Sequence, residues 1–127
     1  MELNHTISAM RIAQRSWAEL PIATRAAHLL QVRRRLVERA EELSAVVQRE
    51  TKKSAADAWF ADVVPNLDLF TWWAGPGAKV ITRERSRLSA LRYPAKEGEL
   101  YYEPKGIIGL ITPWNYPAAL PLRAMVP

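Results

Sequence analysis

Apolar side chains recur every three or four residues through the first half of the chain, which is the spacing of an amphipathic helix. Residues 7–19 carry this pattern, and Pro21 then interrupts it at a place that suits the first turn of a new helix. The pattern resumes over residues 22–50, which predicts either one long helix or two helices with a break near Arg39–Glu42. The second stripe comprises Ile22, Ala26, Leu29, Leu36, Ala40, Leu43 and Val47.

A third helical stretch is predicted over residues 54–75, where large apolar side chains again share one face. Ser54 is a suitable N-cap because its hydroxyl can accept a hydrogen bond from a backbone N–H of the first turn. Pro65 should kink or divide this stretch, since a proline inside a helix removes one backbone donor. A Gly-Pro-Gly sequence at residues 75–77 should end it, so the predicted helical part spans residues 7–77.

After residue 77 the helical spacing is lost. A weak strand near Leu88–Tyr93 could pair with Glu99–Glu103, which predicts a β-hairpin arm over residues 88–103. Ile107–Ile111 is a continuous apolar run, as in a parallel strand buried on both faces, and a helix should start at Pro117 and run to residue 127. The prediction is therefore an α/β fold, with N-terminal helices followed by the first part of a parallel sheet.

A parallel strand needs parallel neighbours, which are joined to it through crossover connections. The chain reaches its last residue, Pro127, within or just after the first helix that could serve as such a connection. We therefore expect the remainder of the sheet to be supplied by residues beyond these 127.

The amino-acid composition excludes several classes of protein and of binding site. The 127 residues contain no cysteine and two histidines, which excludes a disulfide scaffold, a thiolate metal site and a histidine-rich zinc site. Without a secretory signal or a membrane-length apolar run, we expect a soluble, cytoplasmic protein and no membrane partner. The net charge of +5 is spread along the chain, which argues against specific nucleic-acid binding. A basic helical module that binds nucleic acid or protein without catalysis remains the alternative.

The candidate chemistry lies in the loop after the predicted parallel strand, where ligands bind in open α/β sheets. Its sequence is PWNYP, and Pro113 and Pro117 should make it stiff. Asn115 carries an amide that can donate to an oxygen gaining negative charge in carbonyl chemistry, while Trp114 and Tyr116 could form apolar walls. The alternative is a packed turn in which Asn115 satisfies backbone groups.

Two segments of the chain resemble a known family. YYEPKGIIGLITPWNYPAALPLRAMVP is similar to the part of the aldehyde dehydrogenase superfamily that runs through a glutamate-proline-x-glycine turn, a buried strand and a proline-tryptophan-asparagine loop. AQRSWAELPIATRAAHLLQVRRRLVERAEELSAVVQRETKK is similar to the N-terminal helices of that family. The resemblance covers residues 7–127 and implies a truncated cofactor-binding domain with a Rossmann-like parallel sheet.

The resemblance implies the function of an NAD(P)-dependent enzyme that oxidises an aldehyde to a carboxylic acid. Asn115 matches the asparagine that steadies the oxyanion of the thiohemiacetal, and the arm at residues 88–103 matches a segment used for contacts in a homo-oligomer, a dimer or tetramer. The other matched positions are Thr112, Pro113 and Trp114, which line the NAD or NADP cleft, and Tyr116 and Leu120, which face the aldehyde.

Several family features are missing or changed. Lys52 stands where the family commonly has glycine, and Arg123 and Ala124 stand where many members have tryptophan and lysine. The family's catalytic cysteine, general-base glutamate and glycine-rich cofactor turn follow the part that this chain matches. We therefore expect these 127 residues alone to be inactive and to bind no cofactor tightly.

Overall fold

The computed structural model describes residues 2–126, and its first half is helical. Three helices follow one another: α1 spans Glu2–Glu19, α2 spans Ile22–Glu38 and α3 spans Ala40–Thr51. Of the two arrangements that the periodicity left open, the pair of helices broken near residue 39 is confirmed. Pro21 lies directly before the first residue of α2, where its missing N–H removes no helical hydrogen bond.

The break between α2 and α3 is confined to Arg39, whose backbone leaves helical geometry with φ −114° and ψ 18°. The Arg39 guanidinium donates two hydrogen bonds, of 2.8 and 2.7 Å, to the Glu42 carboxylate in the first turn of α3. These hydrogen bonds, helped by the attraction between the two charges, hold the pKa of Glu42 below its usual value and raise the pKa of Arg39. The ion pair therefore joins the residue at the break to the first turn of α3.

The next helical run begins as the sequence predicts. The Ser54 hydroxyl oxygen accepts a hydrogen bond of 3.1 Å from the N–H of Asp57. Helix α4 spans Ala55–Ala58, a π-helical segment spans Trp59–Val63 and α5 spans Val64–Ala74. Pro65 lies in the first turn of α5, so the proline marks the change from π-helical to α-helical geometry and does not end the run.

The Gly-Pro-Gly sequence ends α5 but does not end the helical part. A short helix, α6, spans Pro76–Val80, because Pro76 has the backbone angle that a first helical residue needs. Gly77 is buried in this helix, and a Cβ at that position would lie 2.5 Å from a ring carbon of Trp72 and 2.7 Å from one of Trp73. The close approach of α6 to these two tryptophans therefore requires glycine.

The core lies between α3, the π-helical segment, α5 and the last helix. Helix α7, which spans Ala119–Met125, contacts α5 and the π-helical segment, and α5 also packs on α2. The buried apolar residues are Ala40, Val47, Ala58, Val63, Phe70 and Ala119, and the buried polar residues are Ser44, Asp62 and Asn66. With Gly77, ten of the described residues are buried, so the packed centre is small, and three of the ten are polar.

The predicted hairpin is present with different strands. Strand β1 spans Glu84–Ser86 and pairs antiparallel with β2, Gly98–Leu100, with Arg85 opposite Glu99. The expected first strand at residues 88–93 is wrong. Residues 89–93 form turns closed by two hydrogen bonds to the Ser89 carbonyl, and Pro94 then contributes no backbone donor. The arm therefore has a longer loop and shorter paired strands than the sequence predicts.

The expected buried strand is not formed among the described residues. Residues 101–113 belong to no helix or strand, and Ile108, Leu110 and Ile111 are exposed. The β1–β2 pair is the one sheet between residues 2 and 126, so no parallel Rossmann-like sheet is present there. The physical reason is that an extended segment has no intrinsic partner for its backbone, and no described strand lies beside this one. The last helix also begins at Ala119, two residues after Pro117.

Candidate functional site

The loop predicted to carry the chemistry turns from the extended segment into α7. Residues 114–118 form turns, and the N–H of Leu120 donates to the Tyr116 carbonyl over 3.3 Å as the helix begins. Pro113 and Pro117 flank these turns, and their rings restrict the φ angle at both ends of the loop. The loop therefore has a defined position at the start of a helix that is packed on the core.

The six predicted site residues lie together at this corner but differ in exposure. Trp114 is 80% exposed, Asn115 is exposed and Tyr116 is 39% exposed. Among the described residues, the Asn115 carboxamide has no hydrogen-bond partner, so it does not serve as the backbone-satisfying group of a packed turn. The remaining three residues are the half-buried Thr112 and Leu120 and the exposed Pro113.

A buried carboxylate fastens the end of this loop to the helices. Asp62, in the π-helical segment, is fully buried, and its Oδ1 accepts hydrogen bonds of 3.1 Å from the N–H groups of both Ala118 and Ala119. Those are two of the unpaired donors at the start of α7, and Ala118 offers no side chain that could cap them. Asp62 therefore acts as the N-terminal cap of α7 from a distant part of the chain.

Lys53 completes the charge balance around Asp62. Its Nζ lies 2.8 Å from Asp62 Oδ2 and 4.0 Å from the centre of the Tyr116 ring. The Lys53 side chain is 19% exposed and Asp62 is fully buried, so water and salt screen the attraction between the two charges less than at the surface. One lysine therefore connects the buried carboxylate to the aromatic side chain of the loop.

The backbone before Lys53 explains how its side chain turns inward. Lys52 follows the last residue of α3 and caps it, and it adopts the left-handed conformation with φ 61°. This conformation reverses the chain at the helix end, as glycine commonly does there. Lys52 is the residue that stands where the resembled family commonly has glycine, so the backbone keeps the glycine-type conformation although the side chain differs.

Sequence analysis missed both Asp62 and Lys53. The signal for Asp62 was present: Asp62, Asn66 and Phe70 are spaced four residues apart, so two polar side chains share a helical face with a core phenylalanine. Asn66 is also fully buried, and its amide donates to the Asp62 carbonyl over 2.6 Å. Two polar residues on an apolar face indicate a buried polar network, because buried polar groups need partners.

Two cavities lie away from the loop. The larger, about 350 Å³, is an open groove between α2 and α3, and the smaller, about 60 Å³, is lined by Trp17, Arg25 and Trp73. No group of three or more potential metal ligands occurs in the described part of the chain. No helix within residues 2–126 is long and apolar enough to cross a membrane.

The comparison with known proteins agrees with the motif at the loop. Residues 1–127 match the aldehyde dehydrogenase family over their whole length, and the chain belongs to that family. The resemblance carried by the EPKG turn and the PWNYP loop is thereby confirmed. No solved structure matches the chain.

Three similar proteins illustrate the range within the family. A putative succinate-semialdehyde dehydrogenase [NADP(+)] of Mycolicibacterium smegmatis is 34% identical over 92% of this chain and 22% of its own length. A vanillin dehydrogenase of Corynebacterium glutamicum is 29% identical over 99% of this chain and 25% of its own length. A 4,4'-diapolycopene aldehyde oxidase of a Methylomonas species is 23% identical over 98% of this chain and 23% of its own length. The chain therefore spans about a quarter or less of the length of these relatives.

Proposed function

We propose that this chain forms the N-terminal part of an NAD(P)-dependent aldehyde dehydrogenase, which oxidises an aldehyde to a carboxylic acid. The observation that carries the proposal is the unpartnered, exposed Asn115 amide in the PWNYP loop of a chain that belongs to this family. In the overall reaction the aldehyde carbon gives up a hydride and gains an oxygen from water. Asn115 would donate a hydrogen bond to the carbonyl oxygen as that oxygen becomes negative.

The residues before Asn115 would form one side of the cofactor cleft. Trp114 presents an 80% exposed ring to which a planar ligand could pack, and Thr112, which precedes Pro113, adds a hydroxyl. These groups could form one wall of an NAD or NADP site, but they do not enclose the site. When bound, the nicotinamide accepts the hydride from the substrate.

The aldehyde would lie on the other side of Asn115. Tyr116 is held by Lys53 with part of its ring exposed, and Leu120 is half-buried on the first turn of α7. Together they would provide an apolar wall next to the reacting carbonyl. Relatives act on aldehydes as different as succinate semialdehyde and vanillin by name, which supports an aldehyde as the substrate class and not a particular one.

The missing sheet and the oligomer belong to the same proposal. The exposed apolar residues of 107–111 would become a buried parallel strand beside strands contributed by further sequence, which completes the Rossmann-like domain. The arm at residues 88–103 would contact a second subunit in a dimer or tetramer, because Leu91 is 93% exposed and the neighbouring tyrosines are about half exposed.

Without a nucleophilic cysteine, the 127 residues alone should oxidise no aldehyde.

The test replaces Asn115 in a complete polypeptide that contains these residues. Asn115→Ala should lower kcat by about 100- to 1,000-fold, since it removes one oxyanion donor. Asn4→Ala, on the exposed face of α1, is the matched control and should leave kcat unchanged. The assignment of Asn115 fails if both variants turn over aldehyde at the parent rate. NADH formation by the 127-residue chain itself would contradict the expected inactivity.

A further inference from the structure

The contacts around Asp62 suggest a role beyond packing, and this inference rests on the proposed function of the PWNYP loop. The Asp62 carboxylate is fully buried and uses both of its oxygens: Oδ1 binds the start of α7 and Oδ2 binds Lys53. Asp62 and Ala118 are 56 positions apart in sequence. The contact is therefore a long-range link between the helical run at residues 55–74 and the loop.

The link ends three residues from Asn115. Hydrogen bonds to the N–H groups of Ala118 and Ala119 fix where α7 begins, and the stiff Pro117 connects that point to the loop. Helix α7 has seven residues and no side-chain cap of its own, so it depends on Asp62 for these two donors. The backbone position of the loop that carries Asn115 is therefore tied to Asp62.

Lys53 provides a second attachment through Tyr116. In the described part of the chain, the Tyr116 ring over Lys53 Nζ is the one ring or ion contact made by a side chain of residues 113–117. The ammonium is itself held at 2.8 Å by Asp62, so the Tyr116 ring is located relative to the same buried carboxylate. Two points that follow Asn115 in the chain, the Tyr116 ring and the start of α7, are therefore held by one ion pair.

We propose that Asp62 and Lys53 are positioning residues for the active-site loop. Asp62 sets the placement of the Asn115 oxyanion donor through α7, and Lys53 sets the placement of the Tyr116 wall through its ring. The two roles differ in their kinetic signature. Loss of the donor geometry lowers kcat, whereas loss of the wall raises KM for the aldehyde.

The first test needs no catalysis and uses the 127-residue chain. Asp62→Leu should raise the amide exchange rates of Ala118 and Ala119 at least tenfold relative to Val47, a buried residue of α3. Asp68→Leu, an exposed aspartate on α5, is the control and should change neither rate. Unchanged exchange at Ala118 and Ala119 in Asp62→Leu would overturn the proposal.

A second variant covers the case in which Asp62→Leu fails to fold because Lys53 is left without a partner. The double variant Lys53→Met/Asp62→Leu removes both charges, and such apolar replacement of a buried pair is often tolerated. It should keep Val47 protected while Ala118 and Ala119 exchange at least tenfold faster. If the loop amides stay protected, or if protection is lost equally at Val47, Asp62 has no specific role in the loop.

The kinetic test uses a complete polypeptide. Lys53→Met should raise KM for the aldehyde about tenfold with a smaller change in kcat, and Lys53→Arg should restore KM, because arginine can pair with Asp62 and lie over Tyr116. Lys79→Met, at an exposed position of α6, is the control. A parallel fall in kcat for both Lys53 variants, with KM unchanged, would contradict the role assigned to Lys53.

The two proposals can fail separately. If Asn115→Ala keeps full turnover while Asp62→Leu frees the amides of Ala118 and Ala119, the catalytic role of Asn115 is wrong and the positioning contact is right. If Asn115→Ala abolishes turnover while those amides stay protected, the function stands and the positioning role is wrong.

Discussion

The helical part and the extended segment of this chain contain similar apolar side chains and bury them differently. Val47, Val63 and Phe70 are almost completely buried between helices, whereas Ile108 is 62% exposed and Ile111 fully exposed. Helices pair their own backbone groups, so their side chains can pack wherever another helix lies alongside. An extended segment must find backbone partners on neighbouring strands before it can bury both faces. The difference shows which part of the fold these residues can complete by themselves.

The largest expected effect comes from matched truncations in the two regions. Phe70→Ala should lower the free energy of unfolding by about 3–5 kcal/mol, because it removes a buried aromatic ring and leaves a cavity. Ile111→Ala should change it by less than about 0.5 kcal/mol, since the side chain is exposed. Urea unfolding of the 127-residue chain, followed by circular dichroism, measures both values. Equal losses would mean that the extended segment is packed in solution.

Two Gly→Ala substitutions compare the helical part with the extended segment by adding a methyl group to each. Gly77→Ala should destabilise the chain by about 1–3 kcal/mol, because the new Cβ would overlap the Trp72 and Trp73 rings. Gly109→Ala should be close to neutral, since no atom lies within 4 Å of its added Cβ. Thermal unfolding gives the stability, and near-ultraviolet circular dichroism reports on the tryptophan pair. A neutral Gly77→Ala would contradict the close approach of α6.

A smaller, opposite effect is expected where side chains occupy left-handed backbone. Lys52 and Ala95 are the non-glycine residues with positive φ among those described, at 61° and 57°. Lys52→Gly should raise the free energy of unfolding by up to about 1 kcal/mol, because it relieves the conformation at the end of α3. Ala95→Gly, in the exposed arm, should leave the unfolding of the helices unchanged. Arg49→Gly, inside α3, is a control that should destabilise.

The smallest effect concerns the Arg39–Glu42 pair. Its hydrogen bonds lower the pKa of Glu42 in the folded chain, so their contribution is present above the unfolded pKa and is lost as pH falls through the folded pKa. Because both groups are fully exposed, the change in melting temperature should be small and should shrink in high salt. Melting temperatures against pH for Glu42→Gln, with Glu41→Gln as control, measure it. A salt-independent effect would contradict an exposed pair.

Sequence reasoning succeeded where structure depends on neighbours along the chain. The interruption at Pro21, the Ser54 cap and the break near Arg39 all follow from local spacing and local hydrogen bonds, and each is present in the structure. A β-hairpin was predicted in this region and is present, but its first strand was misplaced. The turn that the Ser89 carbonyl closes had no clear pattern in the sequence. Local rules fix helices well and strand boundaries poorly, since strand pairing is not local.

The candidate site was predicted as a loop and not as a network. The proline-flanked loop around Asn115 was predicted from its residue types, and the structure forms turns at residues 114–118, while the roles of the six predicted residues stay predictions. Asp62 shares a helical face with Asn66 and Phe70, but its contact with Ala118 and the contact of Lys53 with Tyr116 join distant parts of the chain that no periodicity connects. The Ile107–Ile111 run was correctly recognised as apolar, but burial also needs neighbouring strands, and residues 2–126 contain none beside it.

The most direct measurement compares amide hydrogen exchange over residues 107–111 in the 127-residue chain and in a complete polypeptide that contains it. We predict exchange close to that of an unstructured peptide in the short chain, and protection of at least a thousandfold in the complete protein, where parallel neighbours would pair with this segment. Equal exchange in the two proteins would contradict the assignment of these residues to the first strand of an aldehyde dehydrogenase sheet.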